Sequence, residues 1–194
     1  MNNFELKDIW KCSLCPLSGD SYAFPRMNRG IGPKVMFIGE APGREEAKRH
    51  LTFVGPSGKE LDRWISYMGV DNFYITNVVK HRPVKEGRDR PPTDNEAINC
   101  IPYLESEIEH ERPDFIIVLG SVASHHVLHS PNPITRTVKE YFDNPNVHNG
   151  IRYLALFHPS YILRKRNESD NGEFEETFQS YLERIKNIIS GVGP

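Results

Sequence analysis

Val35-Met36-Phe37-Ile38, followed by Gly39-Glu40-Ala41-Pro42-Gly43, is the stretch on which the reading of the fold turns. Four consecutive apolar residues ended by glycine read as a short strand buried on both faces, with the Gly/Pro-bounded pentapeptide as a loop beyond its carboxyl end. The pattern recurs at Phe73–Val79, at Phe115–Leu119 before Gly120-Ser121, and at Tyr153–Phe157 before His158-Pro159-Ser160. Helical spacing fills the intervals. Leu61, Trp64, Ile65 and Met68 follow a Ser57-x-x-Glu60 capping box and stop at Gly69. A Thr93-x-x-Glu96 box opens a helix towards His110, a short helix runs to His129, and Phe174, Phe178, Tyr181, Leu182, Ile185, Ile188 and Ile189 mark a last amphipathic helix. Strands alternating with helices predict a three-layer α/β/α sandwich around a central four-stranded parallel sheet, with residues 1–194 forming one domain.

Composition excludes several classes. The 194 residues carry 24 Lys and Arg against 26 Asp and Glu, a net charge of -2, with 38% hydrophobic residues. That rules out a disordered tail and a polybasic arm. No apolar run approaches the ~18 residues of a membrane span, and Met1–Trp10 lacks a signal-peptide order, so a soluble, cytoplasmic domain is expected; a monomer is a separate expectation. Three cysteines are too few and odd for a disulfide framework.

In open α/β sheets ligands bind beyond the carboxyl ends of the strands, where Gly39–Gly43, the segment from Asn77 to Arg90, Gly120-Ser121 and His158-Pro159-Ser160 all fall. Taken singly, each reads as turn chemistry. Gly-x-Gly-x-x-Gly and Gly-Lys-Ser/Thr are both missing, which argues against a nucleotide phosphate loop. His125, His126 and His129 lie on one short helix at i, i+1 and i+4; the i, i+4 pair could bind metal, but no carboxylate accompanies it in a metalloprotease pattern, and a solvated or partly buried helix face is the better reading.

In order, the segments gain meaning. Gly39-Glu40-Ala41-Pro42-Gly43, Phe53-Val54-Gly55-Pro56-Ser57-Gly58, Thr76-Asn77-Val78-Val79-Lys80 and His158-Pro159-Ser160 resemble the motifs of the uracil-DNA glycosylase superfamily, most closely its iron–sulfur family 4. Cys12-x-x-Cys15-Pro-Leu and Cys100-Ile-Pro-Tyr-Leu also match, so the resemblance runs from Cys12 to about Arg164. It implies a base-excision enzyme that flips uracil from single- or double-stranded DNA and hydrolyses its N-glycosidic bond. Glu40 and His158 are the catalytic residues it implies: Glu40 for the attacking water, His158 for charge developing at uracil O2. Phe53 would stack on the base and Asn77 would read its N3 and O4. Ala41 belongs to the same uracil-binding set, and Glu46 would border the C5 edge and exclude thymine.

DNA contacts are expected at Ser160, with Arg164, Lys165 and Arg166 on phosphates and Ile162 or Leu163 as a wedge into the vacated stack, and local positive charge adds Arg82, Lys85 and Arg88. Residues 80–90 hold Lys80, Arg82, Lys85, Arg88 and Arg90 against Glu86 and Asp89, while acids gather at Glu105–Glu111 and Glu168–Glu176. A chain of slightly negative charge would thus attract DNA through local segregation. Family 4 implies a [4Fe–4S] cluster on four cysteines. Here Cys12, Cys15 and Cys100 fill three positions and His81 stands at the fourth, as in the uracil-trapping branch often called UdgX. Imidazole can ligate iron, although Cys₃His is equally an ordinary zinc set. That branch also carries a nucleophilic His in the loop matching Arg82–Pro92, where this chain has none. His50 and Thr52 stand where the family commonly has Gly and Pro, which leaves His50 open as an extra catalytic, trapping or DNA-contacting group.

Overall fold

The computed structural model describes residues 6–17, 19–144, 146–166 and 173–191. Residues 168–172 of the acidic run lie outside this set. In chain order the strands are β1 (Arg26–Arg29), β2 (Val35–Gly39), β3 (Asn72–Asn77), β4 (Val84–Lys85), β5 (Arg88–Asp89), β6 (Phe115–Leu119), β7 (Asn146–His148) and β8 (Ile151–Leu156). The helices are α1 (Arg44–Arg49), α2 (Pro56–Met68), α3 (Asp94–Glu111), α4 (Ser121–Leu128), α5 (Ile134–Asp143), α6 (Pro159–Arg166) and α7 (Glu173–Ser190).

The four apolar runs are the parallel centre of the sheet, in the order β3-β2-β6-β8. The sheet is nevertheless six-stranded rather than four-stranded, because β1 pairs antiparallel with β3 and β7 with β8. Both additions are polar edge strands: Arg26-Met27-Asn28-Arg29 is mostly exposed and Asn146–His148 wholly so. An edge strand with little to bury shows no apolar periodicity, and its charges discourage pairing with other chains. A two-stranded hairpin, β4–β5, stands apart and turns through Glu86 and Gly87, both at positive φ. This is the backbone that a two-residue hairpin turn favours.

Alternate residues of the central strands feed two cores, which makes the three layers. Phe37, Ile75, Ile117 and Leu119 pack with Leu61, Trp64, Val138, Phe142, Ile162, Phe178 and Leu182 on the side of α2, α5, α6 and α7. Met36, Ile38, Tyr74, Ile116 and Val118 pack with Ala97, Cys100, Leu104 and Ala123 on the side of α3 and α4.

The two capping boxes fare differently. Thr93 Oγ1 accepts from the Glu96 N–H at 3.3 Å and Glu96 accepts from the Thr93 N–H at 2.8 Å, a reciprocal cap. Ser57 does not cap α2. Gly55 is the N-cap and Pro56 takes the first helical position, where its missing N–H costs nothing. Glu60 instead accepts from Trp64 Nε1 at 2.8 Å and from Arg166 at 2.6 Å.

The chain runs from β2 outward to β3, then crosses back to β6 on the other side of β2. The carboxyl ends of β2 and β6 therefore flank a topological switch point, the usual place for a ligand crevice. Register sets the neighbours there. Gly39 pairs with Asn77 and Leu119 with Leu156, so the loops beginning at Glu40, Val78, Gly120 and Phe157 emerge side by side.

Candidate active site

A cleft of about 690 Å³ opens at that switch point, a size common for small-ligand sites. Glu40, Ala41, Glu46, Phe53, Asn77, His158, Ser160 and Arg164 line it together, although up to 124 residues separate them in sequence (164 minus 40). Its inner wall leaves no spare space. A Cβ on Gly39 would lie 2.5 Å from Asn77 Oδ1 and 2.6 Å from Phe53 Cζ. Gly120 holds φ at +88°, and a Cβ there would meet the His158 Cβ at 2.9 Å. Both glycines are required by the side chains pressed against them.

Phe53 is 5% exposed, sits at φ +52°, and its ring lies 5.9 Å from that of His158. The strained backbone is held by Glu46, whose Oε1 accepts from the N–H groups of Val54 at 3.0 Å and Gly55 at 2.8 Å. Glu46 therefore positions the Phe53 turn, a role the sequence did not disclose.

His158 has a defined tautomer. Its Nδ1 accepts from the Ser160 N–H at 3.2 Å and lies 2.8 Å from Ser160 Oγ. A nitrogen that accepts from a backbone N–H carries no proton, so Nε2 bears the hydrogen. Burial, reinforced by the nearby Arg164 charge, lowers the imidazole pKa to about 4. The ring is a neutral N–H donor at physiological pH. Desolvation alone raises the Glu40 carboxyl above the ordinary glutamate range.

Beneath Asn77 lies a dry polar layer. Lys80, with its side chain 1% exposed, gives its three ammonium hydrogens to Thr76 Oγ1 at 2.8 Å, the Asn77 carbonyl at 2.6 Å, and Glu107. Glu107 also accepts from the Tyr74 and Thr76 hydroxyls, each at 2.9 Å. Every donor of the lysine is used. Lys80 is therefore not a DNA contact, as its place in the basic segment suggested.

Other expectations also change. Ile162 is fully buried in the core, because α6 turns that face onto the sheet, so it is no wedge; half-buried Leu163 is the neighbour that faces outward. Arg166 pairs with Glu60 and Glu175, Arg82 with Asp89, and Arg90 with Glu96. Lys85 and Arg88 face each other on the exposed hairpin, and Arg164 is exposed at the cleft. His50 stacks on Tyr22 with centroids 4.3 Å apart and its Nδ1 lies 3.2 Å from the Tyr22 carbonyl; buried Thr52 donates to the Ile75 carbonyl at 3.0 Å. Neither lines the cleft, and both brace the chain before Phe53. Asp89, Arg90, Pro91, Ile134 and Tyr161 also line the cleft; Arg90 stands in the sequence only as part of a basic run, Tyr161 only as a neighbour of the His158 motif, and Ile134 in no motif.

Cys100 belongs to the core cluster on the α3 side of the sheet, with Cys12 and Cys15 packed against it, and His81 follows Lys80, whose backbone N–H bonds Cys100. Burial raises the Cys100 thiol to about 11, with Cys12 and Cys15 close enough for their charges to add to the rise, and the Lys80 N–H donates to Cys100 Sγ at 3.3 Å. His81 is 2% exposed, its ring bonds to the Gly19 carbonyl, and its Nε2 is buried without a hydrogen-bond partner. Burial lowers its pKa, which keeps that nitrogen's lone pair available. A buried nitrogen without a partner, one residue from the backbone N–H that bonds Cys100, fits a metal group held by His81 and the three cysteines.

A doubly wound α/β domain with an aromatic face, an amide and a neutral imidazole in one cleft is a protein built to hold a planar polar ligand. A family model described as the uracil DNA glycosylase superfamily matches residues 28–185, and the chain belongs to that superfamily. A type-4 uracil-DNA glycosylase of Thermotoga maritima is 31% identical over 95% of this chain and 93% of its own. That of Saccharolobus solfataricus is 32% identical over 100% and 94%, and that of Archaeoglobus fulgidus 30% identical over 85% and 87%.

Proposed function

We propose that this protein is a type-4 uracil-DNA glycosylase, which excises uracil from single- and double-stranded DNA and leaves an abasic site for base-excision repair. The observation that carries the reading is the convergence of Glu40, Phe53, Asn77 and His158 on one cleft, in a chain similar over most of its length to enzymes of that name. Flipping costs a few kcal/mol of stacking and pairing, offset by contacts to the extruded base. Phe53 stacks on it, the Asn77 amide offers a donor and an acceptor to its edge, and the wall at Ala41 limits bulk beside the ring.

As the N-glycosidic bond breaks, its electron pair stays with uracil and charge builds at O2. The His158 Nε2–H donates there, stabilising an anion without giving up its proton. Water adds to the sugar carbon and its proton passes to Glu40, for which a raised pKa is an advantage in a base. Leu163 fills the vacated stack, while Arg164, Ser160, Lys85 and Arg88 hold phosphates; Arg82 reaches them only by leaving Asp89.

Cys12, Cys15, Cys100 and His81 would hold a [4Fe–4S] cluster, which supplies a rigid tie between the N-terminal segment, α3 and the end of β3. Among the described residues, only Asp94, His125 and His126 form a group of three ligand atoms all within 4.8 Å of one another. Cys₃His is also an ordinary zinc set, and the preference for iron–sulfur rests on the similarity to type-4 enzymes. The protein acts as one domain, a cytoplasmic monomer; among the described residues no helix is long and apolar enough to cross a membrane.

The test incubates the iron-loaded protein with uracil-containing oligonucleotides, single- and double-stranded, and assays free uracil, abasic sites and denaturation-resistant protein–DNA bands separately. Abasic sites with free uracil are expected. Unchanged oligonucleotides defeat the reading, and a covalent band replaces hydrolysis with trapping. Iron analysis that finds zinc alone overturns the cluster.

A further inference from the structure

Three groups outside the cleft and the cysteine centre converge on the protein surface. His125 and His126 are consecutive on α4, about 100° apart around the helix, and such neighbours do not ordinarily share a ligand. Here their rings lie 4.9 Å apart at 81°, and one ligand atom from each, with one carboxylate oxygen of Asp94, all lie within 4.8 Å of one another. Asp94 is the first residue of α3 and lies 31 residues before His125 (125 minus 94). His126 Nε2 approaches Asp94 Oδ1 at 3.6 Å, longer than a hydrogen bond and short enough for an ion to bridge.

We propose that Asp94, His125 and His126 form a second metal site, which takes a divalent first-row transition ion such as Zn²⁺ and ties the first turn of α3 to the last turn of α4. Two imidazoles and a carboxylate suit zinc, nickel, cobalt or copper; magnesium and calcium prefer oxygen throughout. Three protein ligands leave a fourth tetrahedral position to water. Asp94 is 79% exposed in its side chain, which leaves the site open to entry.

The location gives the site a consequence. Arg90 and Pro91, just before α3, and Gly120 and Ser121, at the start of α4, line the cleft. An ion joining the two helices fixes these two walls relative to each other and slows any turnover that needs them to part. This effect rests on the glycosylase reading; ion binding does not.

Equilibrium dialysis of the iron-loaded protein against Zn²⁺, with metal analysis, separates the two. The parent is expected to take up one zinc per chain with iron content and visible spectrum unchanged. His125→Ala/His126→Ala should lose that ion, and Asp94→Asn should bind it at least ~10-fold more weakly. Equal uptake by parent and double variant, or zinc gained only as iron is lost, overturns the site. With uracil oligonucleotides, zinc should slow the parent and leave the double variant unaffected. A parent that binds the ion with unchanged turnover overturns the tie between walls. No turnover in any zinc-free protein defeats the glycosylase reading, and the dialysis result still decides the site.

Discussion

The inner wall of the cleft and the outer surface beyond it use the same kinds of polar residue under opposite conditions. Behind Asn77, Lys80 and Glu107 are each 1% exposed, and every ammonium hydrogen has an acceptor. On the outer surface beyond the cleft's lining, Lys85, Arg88, Asp94 and His125 face water. In the dry wall a charge must be matched by fixed partners, so each residue is bound to a single geometry. On the outer surface, solvent carries most of that cost, and residues are free to meet a phosphate or an ion. Position, more than residue type, decides what a lysine or histidine does here. Lys80 and Lys85 lie five residues apart, and one holds the fold while the other reaches outward.

The largest effect should come from breaking the dry pair on one side. Lys80→Met leaves Glu107 buried without its cation and should cost about 3–5 kcal/mol in urea unfolding, whereas Lys80→Met/Glu107→Met should lie much nearer the parent. Equal losses in both proteins would mean that the wall is not governed by charge matching.

His158→Ala tests the wall's chemistry. Removing one preorganised donor should lower kcat by about 10²–10³-fold, with thermal stability close to the parent. The pH profile sharpens this. With its folded pKa lowered to about 4, His158 stays neutral on both sides of pH 6.5 and should give no inflection there. Glu40 must be ionised to accept a proton, and its pKa is raised, so kcat/KM should fall on the acid side at a pH above the ordinary glutamate range. An inflection at the free-histidine value that disappears in His158→Gln would show a charged imidazole and reverse the assignment.

The outer surface should respond more gently. Lys85→Ala/Arg88→Ala should reduce the salt dependence of oligonucleotide binding by about two phosphate contacts, a slope change of about 1.8, with kcat at saturation unchanged. An unaltered slope would remove the hairpin from the DNA interface. Smallest is Thr93→Ala, which deletes one half of the reciprocal cap on α3 and should cost about 1 kcal/mol in thermal unfolding. A loss several times larger would mean that the cap also secures Arg90 through Glu96.

Much of this architecture was legible because strands buried on both faces must be continuous apolar runs. Val35–Ile38 and Phe115–Leu119 announce themselves for that reason. The edges β1 and β7 were not legible, since a polar strand with one neighbour has no periodic burial to record. The motif loops pointed to Glu40, Phe53, Asn77 and His158 only through the ordered resemblance to the superfamily; taken singly, each reads as turn chemistry. The function of Glu46 was hidden, since its partners are backbone N–H groups eight and nine residues away.

By itself, the sequence determined the class of fold, the loops that follow its strands, and the oddity of three cysteines, while the family resemblance put a histidine in the fourth place. The tertiary structure alone decided which charges are dry and which are wet. It separated Ile162 from Leu163, withdrew Lys80, Arg166 and His50 from the roles their positions suggested, and gave His125 and His126 the carboxylate that no nearby residue supplies. The physical reason is the same throughout. Periodicity and turn residues are written in neighbours along the chain, whereas burial and the meeting of distant side chains exist only once the sheet's register is set.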